Sequence, residues 1–112
     1  MISISTRNDF EEFKKDYDVY GTHNYKDKYL NESTIRDEQP KRKIHTMWHP
    51  LRDEADVAEY GNDISKMFYC IIYDAEDIKH NDVVILYDEE YEIISIKRYN
   101  THTRLDVRKK KV

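Results

Sequence analysis

Lys66-Met67-Phe68-Tyr69-Cys70-Ile71-Ile72-Tyr73 is the stretch on which the fold turns. It is a nearly continuous apolar run, rich in β-branched and aromatic residues and too short for an independent helix, so it reads as a strand buried on both faces or against a neighbouring subunit. Downstream, Asp74 to Asp82 is polar and turn-like. Val83 to Tyr87 and Tyr91 to Lys97 then flank Asp88-Glu89-Glu90, a short linker consistent with a hairpin. A last strand, Thr103 to Arg108, alternates Leu105 and Val107 with Arg104, Asp106 and Arg108.

Upstream of the run, Leu51 to Tyr60 places Leu51, Ala55 and Ala58 at helical spacing, with Gly61 as a C-terminal stop. Before it, Arg42 to His49 puts Ile44, Thr46 and Trp48 on one face at the strand period, and Pro50 ends the segment. Asp16 to Gln39 mixes Asp, Asn, Thr, Lys and Tyr without a sustained period and reads as a long, conditionally ordered loop; loops of that length are usually functional or disordered. Asp9 to Lys15 predicts a short helix capped by Asn8 or Asp9, with a strand as the alternative. Four to six short strands and one helix, closely connected, predict a mainly β protein: a small antiparallel barrel or rolled sheet with one short helix and a long flexible loop.

A chain of 112 residues fits one domain, residues 1–112, with an N-terminal segment 1–40 and a β-barrel core 41–112. With 38% hydrophobic against 38% charged residues the core must be narrow, and the ten tyrosines supply part of it, their rings burying while their hydroxyls stay wet or find partners. The formal charge of -4 is unevenly spread: Met1 to Pro40 carries -3, Lys41 to Gly61 zero, Asn62 to Ile96 -7 and Lys97 to Val112 +6. The basic end could attract phosphates or an acidic protein surface, or serve as a solvated tail. Cys70 is the single cysteine, so no intramolecular disulfide forms. No apolar run reaches bilayer-spanning length and Met1 to Thr6 lacks a signal-peptide pattern, so a soluble protein made in the cytoplasm is expected, with no membrane partner.

Little in the sequence points to catalysis. His45 and His49 are close but lie on a predicted strand, without the ligand spacing of a metal site. The carboxylate groups fall at predicted turns and exposed helix positions, and Cys70 sits in an apolar strand as an inert thiol. With Gly21 and Gly61 alone, no phosphate-cradling loop can form. No enzyme, metal or cofactor is expected. The physical competitor to an assembly role is a small β-barrel that binds nucleic acid, with tyrosines beside basic residues at Lys97-Arg98-Tyr99, Tyr25-Lys26 and Lys28-Tyr29; the acidic stretch Asn62 to Ile96 weighs against it.

The order of motifs carries a resemblance. Trp48-His49-Pro50, Ala55 through Glu59-Tyr60-Gly61, the strand Lys66 to Tyr73, Ile78 to Val84, Asp88 to Ile93 and Thr103 to Val107 together resemble the siphophage head-completion, or head-tail joining, family over about the last two thirds of the chain. Tyr17 to Gln39 aligns with nothing in that pattern. The resemblance implies a stopper: a structural virion protein at the head-tail interface, where a ring of copies below the portal and its adaptor closes the channel after packaging and receives the tail-completion protein. Isolated subunits of such a ring can be monomers, and packaged phage DNA is a further contact. On that reading the gate is the segment from Tyr20 to Gln39, with Tyr20, Tyr25, Lys26, Lys28 and Tyr29 as its candidates. The candidate interface residues are Trp48, Asp53, Asp56, Tyr60, Arg104, Arg108, Lys109, Lys110 and Lys111.

Overall fold

A computed structural model describes residues 13–110. In chain order the elements are β1 (Lys15–Tyr20), β2 (Thr22–Lys26), β3 (Glu32–Arg36), β4 (Arg42–Thr46), β5 (His49–Pro50), α1 (Glu54–Tyr60), a 3-10 turn (Gly61–Lys66), β6 (Met67–Ile72), β7 (Val83–Leu86), β8 (Glu89–Arg98) and β9 (Thr103–Lys109). Seven strands form one antiparallel sheet in the order β4-β1-β7-β8-β9-β6-β5, and β2 and β3 form a second, two-stranded sheet. The apolar run at residues 67–72 is β6, paired along its whole length with β9.

The large sheet curls until β4 lies beside β6. Thr46 on β4 donates its hydroxyl to the carbonyl of Ile71 at 3.2 Å, and Arg42 donates to the carbonyl of Asp74 at 2.8 Å. Side chains thus bridge β4 to β6 where no strand ladder joins them, and the result is a half-closed barrel. Its interior holds Val19, Ile44, Cys70, Ile72, Val84, Leu86, Ile93, Leu105 and Val107, together with Tyr91 and Trp48. Alternation sets this content: Ile44 and Thr46 face in from β4, and Leu105 and Val107 from β9. Burial pushes the Cys70 thiol up to about 12, so it stays protonated and inert at neutral pH.

Three expectations change. The stretch Asp16 to Gln39 is not a loop: it contains β1, β2 and β3, and β1 lies inside the large sheet between β4 and β7. The short linker between β7 and β8 is not Asp88-Glu89-Glu90. It is Tyr87-Asp88, both at positive φ (52° and 62°), while Glu89 already pairs with Leu86. Two central residues with positive φ give a turn whose twist matches the flanking strands, and here it is made without glycine. The helix begins at Glu54, later than Leu51, which is itself buried in the core. The helix predicted from Asp9 lies outside the described residues except at its end, where Lys15 opens β1.

Candidate functional site

Two features stand out from the barrel, one projecting and one packed on its outer face. The projecting feature is the β2–β3 ribbon. β1 and β4 pair from Lys15↔Thr46 to Val19↔Arg42, and the same two chain segments pair again as β2 and β3 from Thr22↔Arg36 to Lys26↔Glu32. They form one long arm with its base in the barrel wall and its distal half outside. At the junction Asp37 donates its N–H to the Gly21 carbonyl at 2.9 Å, and Lys41 donates to the Val19 carbonyl at 2.8 Å. A side chain at Gly21 would put its Cβ 2.8 Å from a carboxylate oxygen of Asp37, a contact that a turn of the exposed Asp37 side chain relieves. Tyr20 anchors the base, its ring lying 4.3 Å from the Arg36 guanidinium, and Arg36 also approaches Glu90 at 3.9 Å.

Beyond that base the ribbon is exposed along its length. Pairing and alternation give it two unlike faces. His23, Tyr25, Ser33 and Ile35 share one; Thr22, Asn24 and Lys26 share the other with Arg36, Thr34 and Glu32. Tyr25 and Ile35 remain exposed on the more apolar face. The tip is organised by Asp27, whose carboxylate accepts from the N–H groups of Tyr29 at 2.8 Å and Asn31 at 3.0 Å. Leu30 sits there at φ 65°, a conformation unusual for a bulky residue, and Tyr29 and Leu30 are 73% and 77% exposed. Lys28 lies over the Tyr29 ring at 5.1 Å, and Lys26 pairs with Glu32 at 3.4 Å. All five residues singled out for the gate therefore lie on this arm, with Tyr20 at its root and the other four in the outer half.

The second feature is a polar layer that fastens α1 to the outside of β8 and β9. Asp106, fully buried, accepts from the Tyr60 hydroxyl at 2.5 Å and from Nε of Arg104 at 2.7 Å, and Lys97 approaches it at 3.4 Å. Arg104 also reaches Asp56 at 2.9 Å, and Lys97 reaches Glu59 at 2.9 Å. Asp56 is the one buried residue of α1, so the helix docks through charge rather than an apolar stripe. Burial, then the hydrogen bond to Asp106, raises the Tyr60 pKa well above the ordinary tyrosine value, which keeps the hydroxyl a donor.

The register of β8 on β9 also disposes of the charge imbalance seen along the chain. It sets Glu92 opposite Arg108, and these two join at 2.9 Å, with Asp63 at 3.4 Å on the other side of the guanidinium. Lys109 meets Glu89 at 2.9 Å and Lys110 approaches Glu90 at 3.9 Å. The basic end folds back on the acidic stretch and the two largely neutralise each other. Of the residues expected at an interface, Asp56, Tyr60 and Arg104 come together in one network. Arg108, Lys109 and Lys110 lie farther along β9, Asp53 stands at the start of α1, and Lys111 is outside the described residues. Trp48 is in the core, edge-on to Tyr17 at 6.0 Å, with its indole N–H buried and unpartnered.

Among the described residues no group of three His, Cys, Asp or Glu side chains is placed to hold a metal ion, and no helix is long and apolar enough to cross a membrane. His45 pairs with Asp16 at 2.8 Å and His49 stacks on Tyr69.

No family model matches the chain, and no curated protein sequence is similar to it. Solved structures do share its fold. It is similar to protein SF1141 from Shigella flexneri 2a, at 10% identity and a TM-score of 0.59, over 84% of this chain and 89% of that one. It is also similar to the phage-like element PBSX protein xkdH from Bacillus subtilis, at 10% identity and a TM-score of 0.51, over 86% of this chain and 95% of that one. At such identity the likeness is one of fold.

Proposed function

We propose that this chain is a structural virion protein of a tailed bacteriophage, one that joins head to tail and closes the portal channel after the genome is packaged. The projecting ribbon is the observation that carries the reading, and the fold shared with a protein of a phage-like element supports it. A lone two-stranded ribbon is marginal in water, because too little surface is buried to offset the order it imposes. Copies arranged in a ring supply what is missing. Each ribbon turns toward the axis, the Tyr25 and Ile35 face packs on the next subunit, and the Tyr29–Leu30 tips meet across the channel. The role is assembly rather than catalysis. The portal or its adaptor lies on one side of the ring and the tail-completion protein on the other, with the end of the packaged DNA held behind the tips.

A nucleic-acid-binding role draws less support, since Arg104, Arg108, Lys109 and Lys110 already face carboxylates of the same chain. The direct test is electron microscopy of particles produced without this protein. Tailless heads that are leaking or empty, repaired by adding the purified chain, are the expected result; normal tailed particles would overturn the reading.

A further inference from the structure

We infer that the cavity between β5, the first turn of α1 and β6 is a receptor for one basic side chain, arginine or lysine, of a neighbouring protein. The cavity holds about 300 Å³ and is lined by His49, Pro50, Arg52, Asp53, Asp56 and Tyr69. A water occupies about 30 Å³ of the liquid, so the space admits a long side chain.

Its chemistry selects a cation. Asp56 is 4% exposed and only half satisfied: one carboxylate oxygen accepts from Arg104, while the other, Oδ2, is buried with no hydrogen-bond partner. A buried carboxylate oxygen without a donor is costly, and a rotation of the Asp56 side chain that turns Oδ2 to the cavity, where an entering N–H group meets it, removes that cost. Asp53 precedes the helix without capping it, leaving a second carboxylate at the same cavity. Around the cavity and the layer behind it, Arg52, Lys97 and Arg104 stand against Asp53, Asp56, Glu59 and Asp106, one negative charge in excess. The walls suit the stem of such a side chain. His49 stacks on Tyr69 with ring centroids 5.1 Å apart, and Arg104 lies over the Tyr69 ring at 4.4 Å from the β9 side of β6, so the aromatic wall is held in place before anything enters.

The site lies on other elements than the ribbon and does not depend on the channel-closing reading, so either can fail alone. The test is an NMR titration of the full chain with Nα-acetyl-arginine N-methylamide and, in parallel, with its uncharged citrulline analogue. Saturable shifts confined to residues 49–56 and Tyr69 are expected with the arginine compound and none with citrulline. Asp56→Asn is expected to weaken binding by about tenfold or more, the scale of a lost charged hydrogen bond. Because that change also loosens Arg104, Asp53→Asn serves as the second variant, with severalfold weakening expected and the spectrum otherwise intact. Equal responses to the two compounds, no saturable shift, or both variants binding as the original chain does would each overturn the assignment.

Discussion

Replacing residues 22–36 by a Gly-Gly turn is expected to leave the barrel folded while abolishing the retention of packaged DNA. The expectation rests on how little of the barrel the ribbon supports. β2 and β3 pair only with each other, their side chains are exposed, and the buried core contains none of their residues. What the deletion removes from the body is the Tyr20–Arg36 contact, the exposed His23–Asp37 pair and the distant Arg36–Glu90 pair. Each is worth about 1 kcal/mol or less at such exposure. For a domain of this size that amounts to a fall of several degrees in thermal midpoint, far from unfolding. The functional loss is expected to be close to complete, because on the proposed reading the ribbon is the part that reaches the axis. Nuclease protection of DNA in heads completed with the shortened chain measures it, alongside calorimetry of the isolated protein. A shortened chain that protects DNA as well as the full one would remove the ribbon from the mechanism.

The second large effect is on stability. Asp106→Ala is expected to cost about 3 kcal/mol, read as a lower midpoint in urea at unchanged slope. Asp106 is fully buried and holds together Tyr60, Arg104 and Lys97 from three different elements. Its removal leaves the Tyr60 hydroxyl without its acceptor and Arg104 with Asp56 alone. Tyr60→Phe, which deletes one donor and leaves the carboxylate two others, is expected to cost only about 1 kcal/mol. The two changes touch one hydrogen bond, so the double variant is expected to fall short of the sum. Additive losses would mean that α1 is held by its other contacts.

Much of the barrel was legible because its strands bury apolar side chains. Residues 67–72 and 83–86 show it as short apolar runs and 103–109 as alternation, and Gly61, at φ 60°, marks the helix end by the conformation it adopts. The ribbon carried no such signal. Thr22-His23-Asn24-Tyr25-Lys26 and Glu32-Ser33-Thr34-Ile35-Arg36 are strands with no core to face, so their composition is that of a loop. Only the Asp27 to Asn31 turn holds a local clue. The ionic layer was hidden for another reason. Asp56 and Asp106 look like solvated carboxylates until the register of β8, β9 and β6 brings Arg104 and Tyr60 to them across 46 to 48 residues of sequence. The same register turns the basic C-terminal end from a free patch into the partner of Glu89, Glu90 and Glu92.

The central claim is that the ribbons of neighbouring copies converge and close the channel, and a cryo-electron microscopy reconstruction of the head-tail junction in filled particles tests it most directly. The expected result is a ring of barrels below the portal, with residues 22–36 of every copy directed inward and the Tyr29–Leu30 tips meeting on the axis beneath the DNA. Ribbons directed away from the axis, or an open channel at the level of these barrels, would contradict it.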